Sequence, residues 1–292
     1  MLSMTTLEWI DCGLMSAGGI VLAVLVISWR RSGRPDPLRG APLRQIRLTP
    51  VHLLLCVSVH LAGGLVGGTL AVWAVPGHLP DEVSEVLKSI LASDVLQIIV
   101  AATCLVVARE AFVHGWQGFG LGRQSLLRDL GQAGLGVLVA FCVCSLILLG
   151  TEWLIERFLP EMEQPDHGVF QAMEHAATPA WIRVVAVGGA LLLAPIGEEL
   201  FFRGIVQSSL HRLALPKPGS MRHRRLAILF AALLFGFMHQ NTPQYIPALI
   251  VLGLLLGYAY ERTGSLVVPI LMHMLFNAKS LLWYALQQPA VE

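Results

Sequence analysis

Charged residues are scarce in this chain. Only 13% of its 292 residues are Asp, Glu, Lys or Arg, and the formal net charge is +1. Because soluble domains carry about 25% charged residues, this composition excludes an ordinary water-soluble protein. The near-neutral balance gives no support to a polyanionic partner, so no nucleic acid partner is expected. With 55% hydrophobic residues, the chain is predicted to be an integral membrane protein.

Cysteine is also rare, and its placement argues against a disulfide framework. All five cysteines fall inside predicted membrane spans, where oxidising machinery has little access. The pair at Cys142 and Cys144 has no second cluster to complete a metal site. The cysteines are therefore interpreted as small apolar packing residues: Cys12, Cys56, Cys104, Cys142 and Cys144.

Long apolar stretches define the fold class. A membrane helix needs about 20 mostly apolar residues, and eight stretches come close to this length. The sequence predicts an all-α protein, a polytopic transmembrane helical bundle of about eight spans. These spans are residues 10–29, 51–75, 93–108, 131–150, 181–203, 226–242, 245–260 and 265–284.

Basic residues concentrate in alternate loops, at 30–47, 109–128 and 212–225, whereas the loops at 81–85 and 152–174 are acidic. Basic loops stay in the cytoplasm, so both termini are predicted to lie outside, in a plasma membrane of bacterial type or in an organelle membrane. The arginines at 30–47 are interpreted as a solvated linker or a contact with lipid headgroups.

Three regions follow from this pattern. Residues 1–150 hold N-terminal transmembrane helices of unassigned role, and residues 151–180 form an acidic extracytoplasmic loop. Residues 181–284 carry a concentration of polar groups inside apolar helices, and the functional site is expected in this region.

The densest polar group is a carboxylate pair, Glu198 and Glu199, followed by Arg203. An ionisable side chain near the bilayer centre costs about 2.5–3.5 kcal/mol, so these residues require partners. Glu199 and Arg203 are four residues apart on one helix face, which predicts an ion pair. Glu198 points about 100° away from Glu199 and is left free to titrate. A buried salt bridge that only fixes helix packing is the structural alternative.

Two further helices offer matching polar groups. Phe235 and His239 share one helix face, and so do His273 and Asn277, because each pair has i, i+4 spacing. Together with Glu198, these helices supply a carboxylate, two imidazoles and an amide. Such groups can activate water and stabilise an oxyanion.

Three stretches resemble the motifs of the CPBP family of intramembrane proteases, which includes CAAX prenyl proteases and bacteriocin-processing, Abi-like members. The stretches are residues 198–204, 235–239 and 261–277, in the family's order, and the resemblance covers roughly residues 180–284. The first 150 residues resemble no family that we can name.

The resemblance implies hydrolysis of a peptide bond inside the membrane, on a membrane-embedded or lipidated protein or peptide. By the same resemblance, Glu198 is the general base for water, assisted by His239. His273 and Asn277 are implied to stabilise the oxyanion. Glu199, Arg203 and Phe235 are expected to support the site structurally.

A metalloprotease is the mechanistic alternative. Glu198, His239 and His273 are residue types that coordinate zinc with water in the open position. Against this, the sequence has no His-x-x-x-His pair, and a bound zinc would leave only Glu199, which Arg203 occupies, as a base. No cofactor is favoured, and zinc remains the alternative.

Two hypotheses that do not involve hydrolysis also fit the sequence. Intramembrane carboxylates, histidines and arginines also mark proton-coupled transporters, although the polar groups here lie only in the C-terminal half. The second hypothesis is a non-catalytic membrane scaffold or immunity protein that keeps the motif residues for structure. The substrate, with prenylated proteins and secreted peptides as equal candidates, and the oligomeric state are not determined by the sequence.

Overall fold

The computed structural model describes residues 6–122, 125–165, 168–174, 178–213 and 221–287. Within these ranges the fold is all-α, as predicted, and the only β-type pairing is an isolated bridge between Ile46 and Phe112. The helices are α1 (Thr6–Arg31), α2 (Pro50–Ala74), α3 (Asp81–Ala111), α4 (Leu126–Phe158), α5 (Gly168–Glu174), α6 (Ala180–Arg212), α7 (Met221–Phe237), α8 (Ile246–Thr263) and α9 (Val267–Gln287).

Helices occur at all eight predicted span positions, and six are long and apolar enough to cross a membrane. These six include α1 to α4, α6, and α8 together with the short turn Pro243–Tyr245 that precedes it. Helix α7 has only 17 residues, and α9 contains the polar residues His273, Asn277 and Lys279. The protein is a multi-pass membrane protein, and the count of eight spans stays a prediction.

The boundaries of several helices differ from the sequence prediction: α6 continues to Arg212, and α7 begins at Met221 and ends at Phe237, before His239. Helix α3 begins at Asp81 rather than near residue 93, so its first turns are acidic. Helix α4 continues to Phe158, into the region assigned to the acidic loop at 151–180. That loop assignment stays a prediction, and its residues 166–167 and 175–177 lie outside the described part of the chain, as do 123–124 and 214–220 of the basic loops.

Helix α6 lies at the centre of the bundle and contacts α3, α7, α8 and α9. Its residues Leu200, Phe201 and Phe202 belong to the largest buried cluster, together with Phe235 of α7 and Tyr260 of α8. Because apolar side chains enclose it from several helices, α6 is held in a fixed position. Any polar side chain that it carries is therefore also held firmly against its neighbours.

Helix α1, in contrast, lies at the edge of the bundle. Its only buried residue is Gly18, whose Cα approaches the backbone of Leu138 on α4 so closely that a Cβ would overlap the carbonyl oxygen. The other residues of α1 are half-buried against α4 or exposed, which suits a helix that packs on one side and faces lipid on the other.

A buried ionic cluster lies where the basic loops meet the helix ends; we call Arg44, Gln207, Arg224 and Glu261 the Glu261 cluster. Both Arg44 and Arg224 form ion pairs with the Glu261 carboxylate. The amide of Gln207 also donates to Glu261, with a distance of 3.2 Å between Nε2 and Oε1. All three charged side chains are no more than 6% exposed.

The Glu261 cluster corrects the prediction for one arginine of the 30–47 run. Arg44 was expected in a solvated linker or at lipid headgroups, but it is buried and stacks 3.6 Å above the centre of the Tyr260 ring. The sequence could not indicate this, because its carboxylate partner is 217 residues away. The segment around Arg44 thus ties the N-terminal helices to α6, α7 and α8.

Candidate active site

Glu198 and Glu199 lie between two π-helical segments of α6. The first segment is Gly189–Leu193 and the second is Leu200–Gln207. Each wide turn changes the direction in which the following side chains point, and such turns are frequent at functional sites. The carboxylate pair is thus presented from the most irregular part of the central helix.

The predicted ion pair between Glu199 and Arg203 is observed. Oε1 of Glu199 lies 2.9 Å from a guanidinium nitrogen of Arg203, and the two side chains are 0% and 1% exposed. Arg203 also donates to the carbonyl oxygen of Gly253 at 3.3 Å, and its guanidinium lies 4.6 Å from the Phe235 ring centre. Phe235 is fully buried, so it covers the ion pair with an apolar face.

His273 of α9 lies between the two carboxylates. Its Nδ1 is 3.0 Å from Oε1 of Glu199, and its Nε2 is 3.9 Å from Oε2 of Glu198. A carboxylate only accepts hydrogen bonds, so Nδ1 carries a hydrogen, and in the neutral form of the ring Nε2 is an acceptor. This places the basic nitrogen of His273 toward Glu198.

Glu198 is the more accessible carboxylate, with 15% of its side chain exposed. The amide of Gln97 on α3 lies 3.5 Å from its Oε1. Gly197 permits this arrangement, because a Cβ at that position would overlap the Gln97 side chain. Gln97 was not among the predicted site residues, although a glutamine inside an apolar span is a signal that the sequence offers. Only the tertiary packing of α3 on α6 brings it to the site.

His239 and Asn277 are each held by a backbone carbonyl group. Nδ1 of His239 lies 2.8 Å from the carbonyl oxygen of Phe235, so the neutral ring carries its hydrogen on Nδ1. The amide of Asn277 donates to the carbonyl oxygen of Ala190 at 2.9 Å. Ala190 belongs to the first π-helical segment of α6, which therefore anchors α9 as well as redirecting α6.

One cavity brings the four predicted catalytic residues together. It has a volume of about 520 Å³ and is lined by Glu198, His239, His273 and Asn277. We call it the site cavity. Much of its remaining lining is apolar and aromatic, including Phe141, Phe170, Phe276 and Trp283. The cavity can therefore hold an apolar peptide segment beside the polar groups.

The proposed zinc ligands fit a metal by donor type but not by arrangement. The Nδ1 contacts of both histidines leave Nε2 of each ring without a bonded partner, and this is the nitrogen that a metal would take in the neutral form. However, within the described residues no group of three or more His, Cys, Asp or Glu side chains is placed to hold a metal ion. Zinc coordination by Glu198, His239 and His273 is thus not preorganised in this conformation.

Comparison with known protein families agrees with the position of this site. Residues 179–279 match the family model described as Rce1-like, type II CAAX prenyl endopeptidase Rce1-like. The region that carries the three motifs is therefore similar to this family. No curated protein and no solved structure matches the chain. The resemblance inferred from the three motifs is confirmed over this region, and the match supports an intramembrane protease. The four predicted catalytic residues, all of which line the site cavity, lie inside the matched range.

Proposed function

We propose that this protein is an intramembrane endopeptidase that uses Glu198 as its general base. The observation that carries the proposal is the approach of Glu198 to His273, 3.9 Å between Oε2 and Nε2, at the wall of a cavity in an otherwise apolar bundle. Two polar groups at this separation are too far apart for a direct hydrogen bond but can share one water at about 2.8 Å from each.

The protonation pattern supports such a water. Because Glu199 accepts from Nδ1 of His273, Nε2 of this ring accepts a hydrogen bond from the water, and Glu198 takes the other proton. The hydroxide then adds to the carbonyl carbon of the substrate. The proton on Glu198 passes to the amide nitrogen as the C–N bond breaks, which returns the carboxylate to its starting state.

This proposal assigns the two histidines differently from the resemblance, which pairs His239 with Glu198. Asn277 keeps the role of oxyanion donor, since only one of its two N–H groups is used on Ala190 and the other remains to donate. His239 lines the same cavity and presents Nε2 as an acceptor, so in its neutral form it suits the leaving amine better than the oxyanion.

Membrane-associated or lipidated proteins are the proposed substrates. The family description names prenyl endopeptidases that act at CAAX sequences, and the aromatic lining of the site cavity is compatible with an apolar chain. Cleavage of a secreted or membrane-anchored peptide fits the same chemistry. The polar groups lie within α6 and α9, so the reacting bond must enter from the bilayer or from one of its surfaces.

A panel of reporter peptides tests this proposal. Detergent-purified protein is incubated with membrane-anchored and prenylated reporters, and products are identified by mass spectrometry. We expect cleavage by the wild type, loss of cleavage in Glu198→Gln, and full activity in Glu85→Gln, an exposed glutamate on α3. Retained cleavage in Glu198→Gln would overturn the assignment. A lack of cleavage of every reporter would favour a non-catalytic scaffold or immunity protein.

A further inference from the structure

Lys279 of α9 is a cation inside the site cavity whose function the proposed chemistry does not use. Of the three lysines in the chain, only this one lies in a predicted span. Its side chain is 21% exposed and lines the cavity together with His273 and Asn277. A partly buried ammonium in an apolar environment requires a partner, because its desolvation is costly.

Asp11 of α1 is that partner in the present conformation. Its carboxylate lies 2.7 Å from Nζ of Lys279, and it also lines the site cavity. Helix α1 is held mainly through α4 and has Gly18 as its only buried residue. The ion pair thus connects a cavity residue to a peripheral helix, and Asp11 is 36% exposed. A pair with this exposure contributes little to stability, so a competing anion can replace Asp11.

The surroundings of Lys279 fit a carboxylate attached to an apolar chain. The ammonium lies 4.7 Å from the Trp283 ring and 5.9 Å from the Phe141 ring. The indole N–H of Trp283 is buried without a hydrogen-bond partner within the described residues. A carboxylate at this position would form an ion pair with the ammonium close to the Trp283 ring, while the neighbouring aromatic rings could contact apolar side chains of the same ligand.

We propose that Lys279 binds a carboxylate of the substrate, which replaces Asp11 as its ion-pair partner. This proposal rests on the proposed peptidase function. Lys279 follows His273 by six residues, which corresponds to about 9 Å along a helix. An extended peptide advances about 3.3 Å per residue. The carboxylate therefore lies within two or three residues of the bond that is cleaved. Both a terminal carboxylate and the side chain of Asp or Glu supply this chemistry.

Peptide binding to the Glu198→Gln variant tests this proposal without requiring hydrolysis. Three fluorescent peptides of one apolar sequence are compared: a free C-terminal acid, its C-terminal amide, and the amide with one Glu near the end. We expect the acid, or the Glu-containing amide, to bind about tenfold more tightly than the plain amide. Which of the two binds more tightly identifies the source of the carboxylate.

Variants at the ion pair assign the preference to Lys279. The double variant Asp11→Asn/Lys279→Met leaves no unpaired charge at this position. We expect it to bind all three peptides equally. Asp11→Asn alone should tighten binding of the carboxylate peptide, because the competing anion is removed. Lys88→Met is the matched control, because Lys88 is a half-buried lysine that pairs with Glu85 on α3, away from the site cavity, and it should keep the tenfold preference.

The outcomes separate this proposal from the peptidase function. Equal binding of the three peptides, no detectable binding of any, or a preference that persists in the double variant would overturn the role of Lys279. Thermal unfolding of each variant confirms that it is folded. If the carboxylate preference depends on Lys279 but the wild type cleaves none of the peptides, the binding site stands and the peptidase function fails.

Discussion

Nδ1 of His273 lies 3.0 Å from Oε1 of Glu199, an oxygen that Arg203 also contacts at 2.9 Å. This shared oxygen fixes the orientation of the imidazole, since one ring nitrogen is held by a buried and charge-balanced acceptor. In the proposed mechanism, Glu199 therefore acts through His273 as a positioning residue. It connects the ion pair that stabilises α6 to the ring that faces Glu198.

We expect His273→Ala to lower kcat by at least about 100-fold, the lower bound for a positioned acid–base group. The physical reason is that the variant loses the acceptor beside Glu198 and leaves Glu199 with one partner fewer. His239→Ala should lower kcat less, because this ring is bonded to the Phe235 carbonyl rather than placed beside Glu198. Steady-state kinetics on a cleaved reporter measure both values.

The comparison distinguishes the two assignments of the histidines. A larger loss in His239→Ala than in His273→Ala would support the roles implied by the family resemblance. His52, which bonds to Thr49 at the start of α2, offers a control histidine outside the site. His52→Ala should leave kcat unchanged.

Gln97→Leu should lower kcat about tenfold, which corresponds to about 1.4 kcal/mol, and leave KM nearly unchanged. Gln97 is 7% exposed, and its amide lies 3.5 Å from Glu198, so the substitution keeps the volume but removes the donor that orients the carboxylate. Thr103→Val on the same helix removes a hydroxyl that donates to the Ile99 carbonyl oxygen and is the control. An unchanged kcat in Gln97→Leu would show that Glu198 is oriented by other groups.

The sequence was sufficient for interactions within one helix. The Glu199–Arg203 pair follows from i, i+4 spacing, and the exposure of Glu198 to the cavity agrees with the direction expected for its neighbour. Phe235 and His239 also lie together, with ring centres 5.0 Å apart, although α7 ends at Phe237 and His239 lies in the turn that follows it. Helical periodicity is a local property, so it can be read without knowledge of packing.

Interactions between helices could not be predicted in the same way. The approach of Gln97 to Glu198 joins residues 101 positions apart, and the contact depends on the packing of α3 against Gly197. The π-helical turns around the carboxylates likewise could not be predicted from the pattern of apolar residues. Their geometry depends on carbonyl groups such as that of Ala190, which Asn277 of a distant helix contacts.

Arg44→Met should lower the free energy of unfolding by about 3 kcal/mol, because it leaves part of the buried Glu261 charge uncompensated. The residue is 6% exposed, whereas Arg39 in the same segment is exposed. Arg39→Met should therefore have almost no effect. Thermal unfolding in detergent measures the difference. Equal stability of the two variants would restore the interpretation of Arg44 as a surface residue.

We expect hydrolysis to be insensitive to metal removal. Within the described residues, the carboxylates and histidines form no group of three ligands, and Glu199 is bonded to both Arg203 and His273. Activity after treatment with a chelator should equal that of untreated protein, and added zinc should not increase it.

The metal content of purified protein, measured by mass spectrometry, should not depend on His239. One equivalent of zinc that is lost in His239→Ala, together with activity restored only by zinc, would instead establish Glu198, His239 and His273 as ligands. The conformation described here would then have to close around the ion before catalysis.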